Sequence, residues 1–183
     1  EQVAIADGRC DRYRSTYDDK RRTGRGDVLN RGGQGKARER QMPAFEDLYD
    51  LERFVQAQEP VFAQVVSELR SGRKATHWMW FIFPQVAGLG FSAMAQRYAI
   101  SSLDEAQAYL AHPVLGTRLR QCVSILLELK DRSAHEIFGS PDDMKLHSSL
   151  TLFDRAAPDE TLFAQALDRY FGGRPDQATL ERL

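Results

Sequence analysis

Apolar residues recur at helical spacing through most of the chain that follows Phe45. In one example, Phe62, Val65, Val66 and Leu69 form a stripe that ends shortly before a glycine, and this spacing places the four side chains on one face of an α-helix. Strict alternation of apolar and polar residues, the pattern of a half-buried strand, is almost missing. The pattern therefore predicts an all-α fold of about seven to nine helices joined by short connections.

Helix-start signals divide this region into separate helices. Ser102 with Glu105, and Ser133 with Glu136, have the spacing of capping boxes, in which each side chain bonds the backbone N–H of the other residue. Pro113 stands where the first turn of the next helix is expected, and the apolar stripe after it predicts the longest helix of the chain. We expect these helices to pack into a single compact domain over residues 44–183.

Residues 1–43 differ in composition. They are rich in Arg, Gly and Asp, contain 11 basic and 7 acidic side chains, and have no periodic apolar face. Such a segment buries too little apolar surface to offset the entropy lost on ordering. We therefore predict a disordered basic Arg/Gly-rich leader. An RNA-binding arm is the less favoured alternative, because aromatic residues are few and acidic residues are interspersed.

The overall composition disfavours several classes of partner. The chain has 25 Lys and Arg against 26 Asp and Glu, so no charge excess favours nucleic acid or an anionic membrane outside the leader. No apolar run approaches the roughly 20 residues that span a bilayer. Cys10 lies in the polar leader and Cys122 in an apolar helix pattern, so we expect two free thiols in a cytoplasmic protein. Nothing in the sequence predicts the oligomeric state.

The segment HWMWFIFPQVAGLG, residues 77–90, is the most aromatic stretch of the chain. Gly88 and Gly90, with an alanine three residues later, imitate the glycine spacing of a dinucleotide-binding turn. However, Pro84 interrupts the strand that such a turn needs, and predicted helices surround it. We predict instead a short, largely buried helix that ends before Pro84, followed by a tight glycine turn. On that prediction, Trp80 belongs to the core.

Four stretches of the chain resemble a known family. They are RFVQAQ, ELRSGRKATHWMWFIFPQVAGLGFSAMAQRYAISSLDEAQAYLAHPVLGTRL, IFGSPDDMKLHSSLTLF and YFGGRPDQATLERL. Together they are similar to the domain of unknown function 1810 family, collinearly from Leu51 to Leu183. The resemblance implies a compact all-α domain, in agreement with the periodicity, and brings no established activity. Some members carry the label calpastatin, which nothing in this sequence supports.

Basic, aromatic and amide side chains crowd around the aromatic segment. This combination is typical of a pocket that stacks a ring and holds an anion. In addition, the helix of DDMKLHSS places a lysine and a serine four residues apart on one face, beside the core stripe. The predicted ligand-binding residues are Arg73, Lys74, His77, Trp80, Gln85, Gly88, Gly90, Lys145 and Ser149.

The expected roles differ among these residues. Lys74 and Lys145 would bind the anion, Trp80 would bind the ring, and the amides of the glycine turn would add donors. His77 is the side chain suited to exchange protons near neutral pH. A purely structural role competes with this interpretation, because Trp and His often bond locally within a core, and Arg73 and Lys74 suit a helix C-terminus.

Other kinds of chemistry have little support in the sequence. The four histidines lack metal-ligand spacing, and we expect neither a metal nor a cofactor. Ser148 and Ser149 lie on no nucleophile elbow, and Cys122 falls in the middle of a helix. Whether the protein is an enzyme stays open. Two function classes remain: binding of a small anionic or nucleotide-like ligand, and a non-catalytic protein-interaction module whose aromatic segment is purely core.

Overall fold

The computed structural model describes residues 47–183, and the leader predicted over residues 1–43 lies outside this range. Within it the chain forms ten helices and no β-strand, so the all-α prediction is confirmed. The helices are α1 Glu52–Gln58, α2 Phe62–Arg70, α3 Met79–Ile82, α4 Ala93–Arg97, α5 Leu103–Ala111, α6 Leu115–Glu128, α7 Ala134–Phe138, α8 Asp142–Ala156, α9 Thr161–Phe171 and α10 Gln177–Leu180. The helix that periodicity did not predict is α10, a single turn with too few residues to show a period.

The predicted capping boxes have different outcomes. Ser133 and Glu136 form a complete box at the start of α7. At α5, Ser102 accepts the Glu105 N–H at 3.2 Å, but the Glu105 carboxylate bonds the Ser101 N–H and hydroxyl instead. Its other oxygen lies 2.7 Å from the Arg53 guanidinium. This ion pair ties α1 to α5, and with both carboxylate oxygens engaged the second half of the box is not made.

Helix α8 is central to the packing. It contacts α5, α7, α9 and α10, and with fifteen residues it is longer than α6, which has fourteen and was predicted to be the longest. Phe153 of α8 lies 5.3 Å from the Tyr109 ring and 5.8 Å from the Phe163 ring, centroid to centroid. Burial of such aromatic side chains supplies much of the stability of a small helical core. The core stripe thus fixes α8 and leaves its first turns at the surface.

The aromatic segment is mainly core, as predicted, with one exception. Trp78 is 1% exposed, and Phe81, Ile82 and Phe83 are also buried, whereas Trp80 is only half-buried. After Pro84 the chain pairs with the stretch before α5, where Ala87 N–H donates to the Ile100 carbonyl and Ile100 N–H donates to the Gln85 carbonyl. This short bridge fixes where the glycine turn leaves the core.

Within residues 47–183, no helix combines the length and the apolarity that crossing a membrane demands.

Candidate functional site

A surface cavity of about 420 Å³ lies where the aromatic segment, the glycine turn, α8 and the C-terminal segment meet. This volume falls in the range of about 300 to 1,000 Å³ that is usual for small-molecule sites. Apolar side chains form most of the wall, and a few polar groups converge on it. The lining residues are Trp80, Gln85, Leu89, Gly90, Phe91, Ser92, Ala95, Pro141, Met144, Lys145, His147, Ser148, Asp176 and Ala178.

Lys145 and Trp80 form one side of the cavity together. The Lys145 ammonium lies 4.6 Å from the centroid of the Trp80 ring, which is a cation–π distance. The ammonium therefore covers part of one ring face. Trp80 thus contacts Lys145 directly, and its role in binding a ligand ring stays a prediction.

A shared carboxylate holds two lysines at the start of α8. Asp142 lies 2.7 Å from the Lys145 ammonium and 2.6 Å from the Lys74 ammonium, measured to different oxygens. Burial opposes ionisation of Asp142, but hydrogen bonds from the two ammonium groups outweigh it and hold the pKa of this carboxyl below its ordinary value. Two cations on one ionised carboxylate leave a net charge of +1, which favours an anion nearby.

A second polar group, the Asp176 carboxylate, also lines the cavity. The Asp176 Oδ2 atom accepts hydrogen bonds from the Ser148 hydroxyl at 2.9 Å, the Thr179 hydroxyl at 2.6 Å and the Thr179 N–H at 3.1 Å. Burial opposes its ionisation, but these bonds outweigh it and lower the pKa of Asp176. Sequence analysis missed this residue. The signal was present, because Asp and Thr three residues apart are typical of a helix start.

His147 fixes the C-terminal segment beside the cavity. Its Nε2 atom lies 2.7 Å from the Arg174 carbonyl oxygen, and because a carbonyl only accepts, Nε2 carries the hydrogen. The imidazole ring also stacks on Phe171, with centroids 4.1 Å apart and planes 7° apart. In the neutral ring, Nδ1 is then an acceptor.

The two glycines of the turn are needed for different reasons. Gly88 has φ +89°, a backbone conformation that side chains disfavour, whereas a Cβ added to Gly90 would lie 2.5 Å from the Ala95 Cβ atom. Gly90 therefore allows the turn to pack directly on α4, which Ser92 caps by accepting the Ala95 N–H at 3.1 Å. Only Gly90 of the pair lines the cavity.

A buried carboxylate holds the chain that leads into the aromatic segment. Glu68 of α2 accepts the Ala75 N–H at 2.8 Å, the Thr76 hydroxyl at 2.7 Å and the Trp78 indole N–H at 2.8 Å. Burial opposes its ionisation, but the hydrogen bonds outweigh it and lower the pKa of Glu68 to about 2. Sequence analysis did not identify Glu68.

The structure brings together some of the predicted site residues. Four of them line the cavity, namely Trp80, Gln85, Gly90 and Lys145. Lys74 stands behind the wall and reaches Lys145 through Asp142.

Four other predicted residues do not line this cavity. The Arg73 and His77 side chains are exposed elsewhere on the segment before α3. Gly88 lies in the turn but faces Arg182. Ser149 is fully buried in α8, where its hydroxyl has no partner among the described residues. Helical spacing placed Ser149 near Lys145, but the neighbouring Ser148 reaches the cavity.

Neither a metal-binding cluster nor a reactive thiol is present within residues 47–183. No group of three or more His, Cys, Asp or Glu side chains within residues 47–183 is arranged to hold a metal ion. Cys122 is a free thiol buried in α6, and burial raises its pKa to about 12. At neutral pH this side chain is therefore an inert thiol.

The chain has recognisable relatives. The family model described as protein of unknown function (DUF1810) matches residues 48–183. Among solved structures, the chain is similar to the conserved hypothetical protein Rv1873 from Mycobacterium tuberculosis, with 55% sequence identity and a TM-score of 0.74. The likeness covers 75% of this chain and 98% of that one. A search of curated proteins gave no significant match.

Proposed function

The chain belongs to the DUF1810 family of proteins of unknown function, and we propose that its domain binds a small anionic or nucleotide-like ligand in the cavity beside Trp80. The observation that carries this proposal is the placement of Lys145. Its ammonium lines the cavity, is held by Asp142 and Trp80, and belongs to a cluster with a net positive charge. A cation held in this way binds an anion without first losing side-chain entropy.

The rest of the wall suits the non-ionic part of such a ligand. Since Lys145 covers part of one Trp80 face, a planar or apolar group lies more readily against Leu89, Phe91 and Met144. These side chains offer apolar contact on the side of the cavity formed by the turn and α8. The ligand would thus bridge a cationic wall and an apolar wall, which is the usual composition of small-molecule sites.

A second candidate function is a protein-interaction module. Phe91 and Met144 border the cavity and are 87% and 66% exposed. Exposed apolar side chains around a depression are typical of surfaces that receive an apolar anchor from a partner. The earlier form of this alternative, in which the aromatic segment is purely core, does not fit the half-buried Trp80. The cationic Lys145 favours the small anionic ligand.

Ligand-dependent stabilisation of matched lysine variants tests the proposal. Thermal unfolding would be followed for the wild type, Lys145→Met and Lys130→Met, each with and without inorganic phosphate or adenosine monophosphate. Lys130 is an exposed lysine outside the cavity. We expect both anions to stabilise the wild type and Lys130→Met, by about 2.7 kcal/mol when the ligand reaches a hundredfold excess over Kd.

The Lys145→Met variant should lose this response. Each variant's thermal unfolding with ligand is compared with its own unfolding without ligand. Any stability that Lys145→Met loses with the ion pair therefore does not affect the result. Equal stabilisation of Lys145→Met and Lys130→Met, or no response of the wild type to either anion, would contradict the proposal. If the wild type responds to neither anion, the interaction module becomes the better explanation of the exposed Phe91 and Met144 side chains.

A further inference from the structure

The wall of the cavity that carries Asp176 restricts the chemistry of the ligand. We propose that the ligand carries neutral hydrogen-bond donors, hydroxyl or amino groups, in addition to its anion, and that Asp176 is the specificity-determining residue that accepts from them. This inference rests on the proposed function and deepens it, because it separates donor-bearing anions from simple ones.

The first reason is how the two carboxylate oxygens of Asp176 are used. Oδ2 receives three hydrogen bonds, from Ser148 and from the N–H and hydroxyl of Thr179. Within residues 47–183, every hydrogen bond to the Asp176 carboxylate reaches Oδ2, although Asp176 lines the cavity. An ionised carboxylate can only accept. The atom left for a ligand is therefore an acceptor, and its natural complement is a donor.

The second reason is that the carboxylate is held in place before any ligand arrives. The Asp176 N–H donates to the Thr151 hydroxyl at 2.9 Å, and the Arg174 carbonyl accepts from His147. Residues 174 and 176 are thus both attached to α8. A group fixed in this way contributes to specificity, since binding does not have to order it.

The third reason is the pairing of opposite charges across one cavity. Lys145 favours an anion, whereas the carboxylate of Asp176 in the same cavity repels a second anion. A ligand with two anionic groups is therefore disfavoured, and a ligand with one anion and neutral donors is favoured. Sugar phosphates and aminated ring phosphates have this composition, while a simple alkyl phosphate has only the anion.

The Asp176→Asn substitution reverses the hydrogen-bonding character of the proposed recognition atom. The amide oxygen can keep the bonds from Ser148 and Thr179, so the N-cap of α10 is preserved, and the amide NH₂ then stands where Oδ1 was. The cavity would offer a donor in place of an acceptor. Asp176→Ser is the second variant, because serine also caps helices but has no second oxygen. Asp159→Asn, at an exposed site away from the cavity, is the control.

Calorimetric titration would compare three phosphate monoesters on the wild type and these variants. Methyl phosphate carries no donor on its organic part, ribose 5-phosphate carries hydroxyl groups, and adenosine monophosphate adds an amino group on the ring. For the wild type, we expect at least one donor-bearing ester to bind about tenfold more tightly than methyl phosphate, as one hydrogen bond to a charged group provides. Asp176→Asn and Asp176→Ser should lose this difference, and Asp159→Asn should keep it.

The outcomes separate the inference from the proposed function. If all three esters bind through Lys145 with equal affinity, or if the preference persists in both Asp176 variants, the inference is overturned and the anion site stands. If none of the esters binds at millimolar concentration, both are overturned. Loss of preference for ribose 5-phosphate alone identifies a hydroxyl donor, and loss for adenosine monophosphate alone identifies an amino donor.

Discussion

Trp78 and Trp80 stand two residues apart in the same segment, yet they belong to different parts of the molecule. Trp78 is 1% exposed, donates its indole N–H to Glu68, and packs edge-on against Phe138 at 6.2 Å. Trp80 is half-buried, lines the cavity and carries the Lys145 ammonium over its ring. The Trp78 side chain is thus hydrogen-bonded and packed entirely within the core, whereas part of the Trp80 ring faces the cavity.

The carboxylates near the two tryptophans differ in the same way. Glu68 is satisfied entirely by hydrogen bonds from its own surroundings, at Ala75, Thr76 and Trp78. Asp142 instead holds Lys74 and Lys145, whose combined charge exceeds its own. A closed network stabilises the fold and offers nothing to a ligand. The Asp142 network carries an excess positive charge beside the cavity, and this charge can attract an anionic ligand. The difference between the two carboxylates therefore indicates the cavity as the binding site.

Removing the buried tryptophan should have the largest effect. We expect Trp78→Ala to reduce the free energy of unfolding by about 3 to 5 kcal/mol, because it leaves a cavity and removes a donor from Glu68. Urea unfolding measured by circular dichroism would give this value. A loss no greater than that of Trp80→Ala would erase the distinction between the two tryptophans.

Neutralising Glu68 should have the next largest effect, with a characteristic pH dependence. The unfolded chain protonates Glu68 near 4.5, whereas the folded protein keeps it ionised to about 2. The unfolded state therefore binds more protons between these values, and the stability from Glu68 is present above pH 4.5 and lost as the pH falls toward 2. Glu68→Gln should cost about 3 kcal/mol at neutral pH and remove this part of the acid dependence.

The matched control is Glu128→Gln at the exposed end of α6. Urea unfolding at several pH values would compare it with Glu68→Gln and the wild type. An acid dependence of Glu68→Gln as steep as that of the control would mean that the buried carboxylate does not hold the segment.

Removing the cavity tryptophan should have a smaller effect on stability. We expect Trp80→Ala to cost about 1 to 2 kcal/mol, because the ring is only half-buried. Its effect on phosphate binding should be more pronounced, since Lys145 loses the ring that positions it. A cost equal to that of Trp78→Ala would support the original expectation that Trp80 is a core residue.

Replacing the exposed apolar side chains beside the cavity should have the smallest effect on the free energy of unfolding. Phe91→Ser and Met144→Ser should each alter the free energy of unfolding by less than about 0.5 kcal/mol. Both substitutions should weaken the binding of a nucleotide-like ligand more than the binding of inorganic phosphate, since only the nucleotide-like ligand has an apolar part. Equal weakening of both ligands would argue against an apolar wall that contacts the ligand.

Much of the fold was predictable because helical periodicity and end signals are local. The stripes and the Ser133 box required no tertiary information. The single turn of α10 is too short to show a period, and local patterns do not show that Glu105 pairs with Arg53, a partner 52 residues away in the sequence. Such long-range pairings are not visible in helical spacing or end signals.

The candidate site was predictable only in part. The sequence identified the densest group of basic and aromatic residues, and Trp80, Gln85, Gly90 and Lys145 do line one cavity. It did not identify which tryptophan lies in the core, because both fit an apolar helix with apolar surroundings on each side. It missed Asp176 because the C-terminal segment reaches the cavity through tertiary contacts, such as those with α8, that no local pattern shows.

A titration with inorganic phosphate followed by amide NMR shifts tests the central claim most directly. We expect saturable shifts concentrated in residues 85–92, 144–148 and 176–178, three segments that line the cavity. These shifts should disappear in Lys145→Met and persist in Lys130→Met. Shifts centred instead on the exposed Arg73 and His77, or no saturable shift at millimolar phosphate, would contradict the claim that this cavity is the binding site.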